Sequence, residues 1–163
     1  MAIQTCNGDS VELRVPCKPE YVRTVRTLIA EIADSVPLSP QDIEEVKVAA
    51  SEAVANIVRH AYGNSADSAP VIVRCCRSNG MLVVEIIDRG IGFCVPAASE
   101  APPPDVSRKK EGGLGIILIR NLMDSVDYWS QPNLGTRIRM TKSRWHNRRN
   151  QKKRELLQHG AGF

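Results

Sequence analysis

The amino-acid sequence predicts an α+β fold: a two-layer α/β sandwich whose mixed, mostly antiparallel sheet carries its helices on one face. Three observations point there. Two segments with apolar residues at helical spacing come early in the chain. Two pairs of strand-like runs follow, each joined by a short turn-forming stretch, and hairpins make antiparallel neighbours. One helical segment separates the pairs, and helices packed on one side of hairpins make two layers.

The elements follow in order. Val11-Glu12-Leu13-Arg14-Val15 alternates apolar and polar, as a half-buried strand does. From Pro19 to Ala33 the apolar positions Val22, Val25, Leu28, Ile29 and Ile32 keep helical spacing. Ser39-Pro40-Gln41-Asp42 supplies an N-cap serine, a proline at the first helical position and an acid three residues after the cap. The helix it opens is expected to reach about Tyr62, before Gly63-Asn64-Ser65. Val71 to Arg77 and Met81 to Ile87 read as a hairpin about Ser78-Asn79-Gly80. Cys94 to Gly113 holds four prolines and is too long for an ordinary connector, which marks either a functional lid or a disordered segment. Leu114 to Met123 is helical, and Val126 to Ser130 and Thr136 to Met140 form the second hairpin.

At 163 residues, with 42% hydrophobic and 25% charged residues, the chain suits one globular domain with an extension. No apolar run is long enough for a transmembrane helix, and the first ten residues lack the pattern of a secretory signal. The net charge of +4 is unevenly spread: Lys142 to Phe163 holds seven basic residues and one acid, +6, leaving −2 for the rest. The division is therefore residues 10–142 as the domain and 143–163 as a flexible basic tail. A basic tail on a near-neutral body argues against a nucleic-acid binder. The five cysteines, Cys6, Cys17, Cys75, Cys76 and Cys94, are odd in number and lack CxxC spacing, so reduced thiols and no zinc site are expected.

Three clusters carry chemistry. Glu52 and Asn56 lie four apart on the second helix and share a face, where a carboxylate can take a proton and an amide oxygen can hold a hard cation. The same pair also fits an ordinary solvated helix surface. Asp88-Arg89-Gly90-Ile91-Gly92 closes a strand: the carboxylate can accept from an exocyclic amine, and glycines let backbone approach a ligand. A plain turn is the other reading. Glu111-Gly112-Gly113-Leu114-Gly115 opens a helix whose N–H groups favour phosphate, or else forms a hinge. No GxxxxGK[ST] motif occurs, and no GxGxxG stands in a βαβ context.

In their order, Glu52-x-x-x-Asn56, Asp88-x-Gly90-x-Gly92, Gly113-x-Gly115 and Gly135-Thr136 resemble the N, G1, G2 and final boxes of the GHKL ATPases. Within that superfamily, Ser51 to Tyr62 and Gly113 to Asp124 resemble the anti-sigma-factor serine/threonine kinases. The resemblance covers roughly Ser10 to Lys142 and implies the Bergerat ATP-binding fold. It implies ATP and Mg²⁺ as ligands, with Asn56 on the metal. Glu52 is then the general base for a serine hydroxyl of a protein substrate. Asp88, helped by Thr136 through a water, binds the adenine amine. Gly90 and Gly92 shape the pocket, residues 94–112 form the lid, and Gly113, Leu114 and Gly115 present backbone to phosphate. His60 is expected as a packing or supporting residue.

The implied function is partner switching in the cytoplasm of a bacterium. The kinase phosphorylates an anti-sigma antagonist protein and sequesters a sigma factor, as a homodimer and without a membrane. One departure stands out: where such kinases carry an arginine beside the G2 glycines, this sequence has Glu111 and Gly112, with Arg108, Lys109 and Lys110 just upstream. The alternative is therefore an ATP-gated protein-binding module of the same fold without efficient transfer. A detached histidine-kinase domain is disfavoured, because none of His60, His146 and His159 sits in a preceding dimerisation helix.

Overall fold

The computed structural model describes residues 9–60, 69–91, 113–131 and 133–144. Its elements are β1 (Ser10–Val15), a 3-10 turn (Pro19–Tyr21), α1 (Val22–Ala33), α2 (Pro40–His60), β2 (Val71–Ser78), β3 (Met81–Ile87), α3 (Gly113–Leu122), β4 (Ser125–Gln131) and β5 (Gly135–Ser143). The five strands form one sheet in the order β1-β2-β3-β5-β4. Every pairing among them is antiparallel, so the parallel component allowed for by a mixed sheet is absent among the described strands. The chain passes from β3 through α3 to the far edge as β4, and β5 then returns between β4 and β3.

Local chemistry explains the elements. Ser39 and Asp42 form a reciprocal cap at the start of α2: the Ser39 hydroxyl oxygen accepts the Asp42 N–H at 3.1 Å, and Asp42 Oδ2 accepts the Ser39 N–H at 3.0 Å. Asp replaces the usual Glu of such a box and still closes it. The β2–β3 turn places Asn79 and Gly80 at φ 51° and 74°, the left-handed pair that a two-residue hairpin requires. The second helix was expected to run to about Tyr62; it is described to His60, and residues 61–68 lie outside the described set. The first helix was expected from Pro19 and instead begins with a 3-10 turn, with α1 proper starting at Val22.

The core lies between the sheet and the helices. Val25 and Ile29 of α1 and Val46, Ala49, Ala50, Ala53 and Ile57 of α2 meet Val71, Val73, Leu82, Val84, Ile86, Ile138 and Met140 of the sheet. Alanines at three α2 positions let the helix sit close to its neighbours. The opposite face of the sheet carries charged residues beside buried Ile72, Cys76 and Val83 and exposed Trp129. One row across it reads Glu12, Arg74, Glu85, Arg139, Asp127, with the charge alternating at every strand. Arg74 Nε is 2.6 Å from Glu12 Oε2, and Glu85 pairs with Arg137 and, at 3.8 Å, with Arg139.

β5 runs to Ser143, three residues beyond the expected end at Met140, and side chains secure the extra length. Lys142 is buried, with Nζ 2.7 Å from the Leu122 carbonyl, 2.5 Å from Glu45 Oε2 and 3.5 Å from Asp42 Oδ1. The Ser143 N–H donates to Asp124 Oδ2 at 2.7 Å. One ammonium thus joins β5 to the start of α2 and the end of α3. Cys17 and Cys75 are free thiols, whereas Cys76 is disulfide-bonded, which corrects the expectation of five reduced cysteines. Burial pushes the Cys75 thiol up to about 12.

Candidate active site

Glu52 and Asn56 project from the same face of α2, one turn apart, as their spacing predicts. The Glu52 side chain is half-buried and Asn56 is buried. Gly115, in the first turn of α3, closes over both. A Cβ there would stand 3.0 Å from Asn56 Nδ2 and from Glu52 Cδ, and closer still to Glu52 Oε1. The glycine is therefore what lets the start of α3 approach the carboxylate–amide pair. Gly113 and Leu114 open the same helix.

A second group forms where β3 ends beside the start of β5. Asp88 is only 2% exposed. Its backbone N–H donates to the Thr136 carbonyl at 2.9 Å, and its Oδ1 accepts the Gly90 N–H at 2.7 Å. Its Oδ2 has no hydrogen-bond partner although it is buried. Burial pushes the Asp88 carboxyl above its ordinary value, against the opposing pull of Gly90 and Thr136. A buried carboxylate oxygen without a donor is costly unless a ligand supplies one. Gly90 and Thr136 are buried beside it. The Thr136 hydroxyl lies 3.2 Å from that of Ser130.

Gly135, at φ 87°, makes this junction possible: a Cβ there would fall 2.7 Å from Arg89 Cα and 2.8 Å from the Asp88 carbonyl carbon. The turn before it also reaches back, with the Asn133 N–H donating to the Ile91 carbonyl at 2.9 Å. Ile91 and Leu134 both stand exposed there. The Cys17 thiol is pushed up by burial and, secondarily, by the Asp88 charge.

The described residues thus group Glu52 with Asn56 and Gly115, and Asp88 with Gly90 and Thr136. Gly92, the lid of residues 94–112, and Arg108, Lys109, Lys110, Glu111 and Gly112 lie outside the described residues. His60, expected as a packing or supporting residue, is exposed on the last turn of α2.

Two neighbours were not singled out from the sequence. Arg59 Nη2 lies 3.8 Å from Glu52 Oε1, and Arg59 Nη1 donates to Asn56 Oδ1 at 3.4 Å. Its place three residues after Asn56 and seven after Glu52 was the available signal. Tyr128 has a buried Oη without a hydrogen-bond partner. Burial pushes this hydroxyl up to about 12, with Arg120 opposing and the Glu52 charge adding to the effect. The alternation of β4 alone could have placed Tyr128 on the helix side. No group of three or more His, Cys, Asp or Glu residues is placed to hold a metal among the described residues. A cation here would depend on Asn56 Oδ1 together with oxygens of a ligand. No helix among them is long and apolar enough to cross a membrane.

A family model described as histidine kinase-like ATPase domain matches residues 15–142. The serine-protein kinase RsbW of Oceanobacillus iheyensis is 36% identical over 141 residues, covering 83% of this chain and 87% of that protein. RsbW of Bacillus pumilus is 35% identical over 140 residues, covering 82% and 85%. RsbW of Bacillus subtilis strain 168 is 33% identical over 141 residues, covering 83% and 86%. A crystal structure of the RsbU and RsbW domains of a Mycobacterium tuberculosis protein shares the fold at TM-score 0.59 and 19% identity, over 83% of this chain and 32% of the other. A blue-light activated histidine kinase of Erythrobacter litoralis does so at TM-score 0.51 and 21% identity, over 76% and 40%.

Proposed function

Because the chain belongs to the histidine kinase-like ATPase domain family, and within it to the RsbW serine-protein kinases, we propose that it is an ATP-dependent protein serine/threonine kinase and anti-sigma factor. The observation that carries this reading is the Glu52–Asn56 pair seated against Gly115, a carboxylate and an amide oxygen on one helical face at the opening of α3. The catalytic unit takes in residues 10–143, since Ser143 ends β5 against Asp124, and the rest of the basic tail is appended to it. The substrate is an anti-sigma antagonist protein, and the sequestered partner is a sigma factor. The protein works in the cytoplasm, where sigma factors act, and as a homodimer.

ATP is the phosphoryl donor. The unpartnered Asp88 Oδ2 is a fitting acceptor for the adenine amine, with Gly90 and Thr136 beside it and Gly92 completing the glycine pair. Gly113, Leu114 and Gly115 offer the N–H groups of a helix start to the phosphates. Asn56 Oδ1 is suited to Mg²⁺, which takes oxygen ligands and, when bound, neutralises phosphate charge. Glu52 accepts the proton of the attacking serine hydroxyl. The serine oxygen bonds to the terminal phosphorus as the bond to the bridging oxygen breaks, and that oxygen leaves on ADP with the electron pair.

The test is phosphoryl transfer. The purified protein, radiolabelled ATP, Mg²⁺ and the antagonist should yield an antagonist labelled on serine or threonine. Binding of both ATP and antagonist without any labelling would favour a purely ATP-gated binding module.

The adenine assignment has its own expected result. Asp88→Asn removes a charged acceptor, and such hydrogen bonds are worth about 1.5–3 kcal/mol, or roughly 10- to 150-fold in affinity. An N–H donor at Oδ2 favours the ionised carboxylate. ATP affinity should therefore fall as pH drops through the raised Asp88 pKa, and this dependence should vanish in Asp88→Asn. GTP carries a carbonyl where adenine carries the amine and should compete poorly. Calorimetry giving equal affinities for ATP and GTP would refute the assignment.

A further inference from the structure

Little apolar burial fixes where α3 lies. Of its described side chains Ile119 is fully buried, whereas Ile117 and Leu118 stand 46% and 41% exposed. Two of its first three residues are glycines, which weaken a helix. A ten-residue helix of this composition does not hold itself together in water. Its place along α2 is set instead by links at its two ends. At one end Gly115 sits against Glu52 and Asn56. At the other, the buried Lys142 ammonium donates to the Leu122 carbonyl at 2.7 Å and meets Glu45 Oε2 at 2.5 Å and Asp42 Oδ1 at 3.5 Å. The two links match in spacing. Glu52 lies seven residues beyond Glu45 on α2, and Gly115 lies seven residues before Leu122 on α3. At a helical rise of 1.5 Å per residue, each helix covers about 10 Å between the links. Steps of seven also keep Glu45 and Glu52 on one face of α2. Lys142 is itself held firmly, since it follows Ile138 and Met140 along the helix-facing row of β5 and precedes Ser143, which Asp124 secures.

From this geometry we propose that Lys142 is a positioning residue for phosphoryl transfer: it sets the register of α3 along α2, and so the seat of Gly115 over Glu52 and Asn56. The proposal rests on the kinase reading and adds a remote residue to it. The Leu122 carbonyl is among the last of α3, which have no partner within the helix, and a cation there suits the negative end of the helix. The same ammonium faces two carboxylates in the first turns of α2. One charge thus draws the end of one helix to the start of the other. Without it, the carbonyl and the carboxylates lose their common partner, and α3 is free to slide along α2. Sliding carries the N–H groups that open α3 away from the phosphates. Asp88 and Thr136 stay where they are, because their backbones are bonded to each other at the ends of β3 and β5.

The experiment uses the full chain and three variants, Lys142→Met, Glu45→Gln and Ile29→Ala. Calorimetry compares ATP with adenosine, which has no phosphate for α3 to hold, at a temperature where circular dichroism shows each variant folded. Lys142→Met should weaken ATP binding about 10-fold, the worth of one hydrogen bond to a charged group, and leave adenosine binding unchanged. Transfer to the antagonist at saturating ATP should slow on the order of 100-fold, the loss that a misplacement of about 1 Å can bring. Glu45→Gln leaves Lys142 with Asp42 and loosens one leg of the link, so it should move both readings the same way by less. Ile29→Ala leaves a cavity beneath α1 and lowers the thermal midpoint, and it should change neither the ratio of ATP to adenosine affinity nor the rate. An unchanged ratio and rate in Lys142→Met would reduce Lys142 to a stabilising tie and overturn the proposal. So would the same losses in Ile29→Ala. If Lys142→Met does not fold, an unchanged ratio and rate in Glu45→Gln overturn the proposal by themselves. If wild type binds no ATP, the kinase reading fails, and hydrogen exchange still decides whether Lys142 places α3. Lys142→Met should then speed exchange at the Gly115 to Ile119 amides more than in α1, and an equal change in both helices overturns the proposal.

Discussion

Glu52→Gln should bind ATP about as wild type does and transfer its phosphate roughly 10²–10⁴-fold more slowly, the usual loss when a general base is removed. The amide keeps the size of the carboxylate and its seat beneath Gly115, so the start of α3 has no reason to move. What it lacks is basicity. Affinity should persist because Asp88 and the glycines are untouched. Asn56→Ala should behave differently, losing both Mg²⁺-dependent affinity and rate. Radiolabelled ATP and the antagonist, with wild type beside both variants, separate these outcomes. If Glu52→Gln labels the antagonist at the wild-type rate, another group takes the proton and Glu52 only supports the site.

The largest effect on stability should come from Lys142, which is not a candidate for chemistry. Lys142→Ala leaves Asp42, itself only 1% exposed, and Glu45 without the ammonium that lies between them. Breaking a buried pair by removing one partner costs about 3–5 kcal/mol. For a chain of this size that lowers the thermal midpoint by roughly 6–20 °C. Lys142→Met retains the aliphatic stem and should fall nearly as far, because the missing charge and not the missing methylenes sets the cost. Calorimetric midpoints decide it. A fall below about 2 °C in both variants would mean that water replaces the ammonium without penalty.

The two variants also mark what the sequence could reveal. Glu52 and Asn56 were legible because four residues along a helix is a fixed geometry. The cap at Ser39 and the turn at Asn79-Gly80 are likewise local, since residues a few positions apart settle them. Lys142 was not legible. Nothing near it in sequence foretells that it will reach Asp42 and Glu45, so it read only as the last residue of the domain, with its charge counted among those of the basic tail. The order of the sheet was hidden for the same reason: a hairpin pattern pairs β4 with β5 but does not say that β5 lies on the inside. Arg59 was readable in principle from its spacing, three residues after Asn56 and seven after Glu52. Asp88 was recognisable from its glycines, but its unpartnered oxygen depends on Gly135 bringing in a strand from 47 positions further along the chain.

The row of alternating charges on the outer side of the sheet works as a password for strand order. Glu85 meets Arg139 only while β5 stands between β3 and β4, and Arg139 then separates Glu85 from Asp127. Had β4 docked directly against β3 with Val126 and Tyr128 still turned toward the helices, Glu85 and Asp127 would share the outer side with no cation between them. Apolar burial favours the same order, since Ile138 and Met140 of β5 are fully buried whereas Val126 and Tyr128 of β4 are only partly buried. The charges add to it, because like charges on neighbouring strands repel.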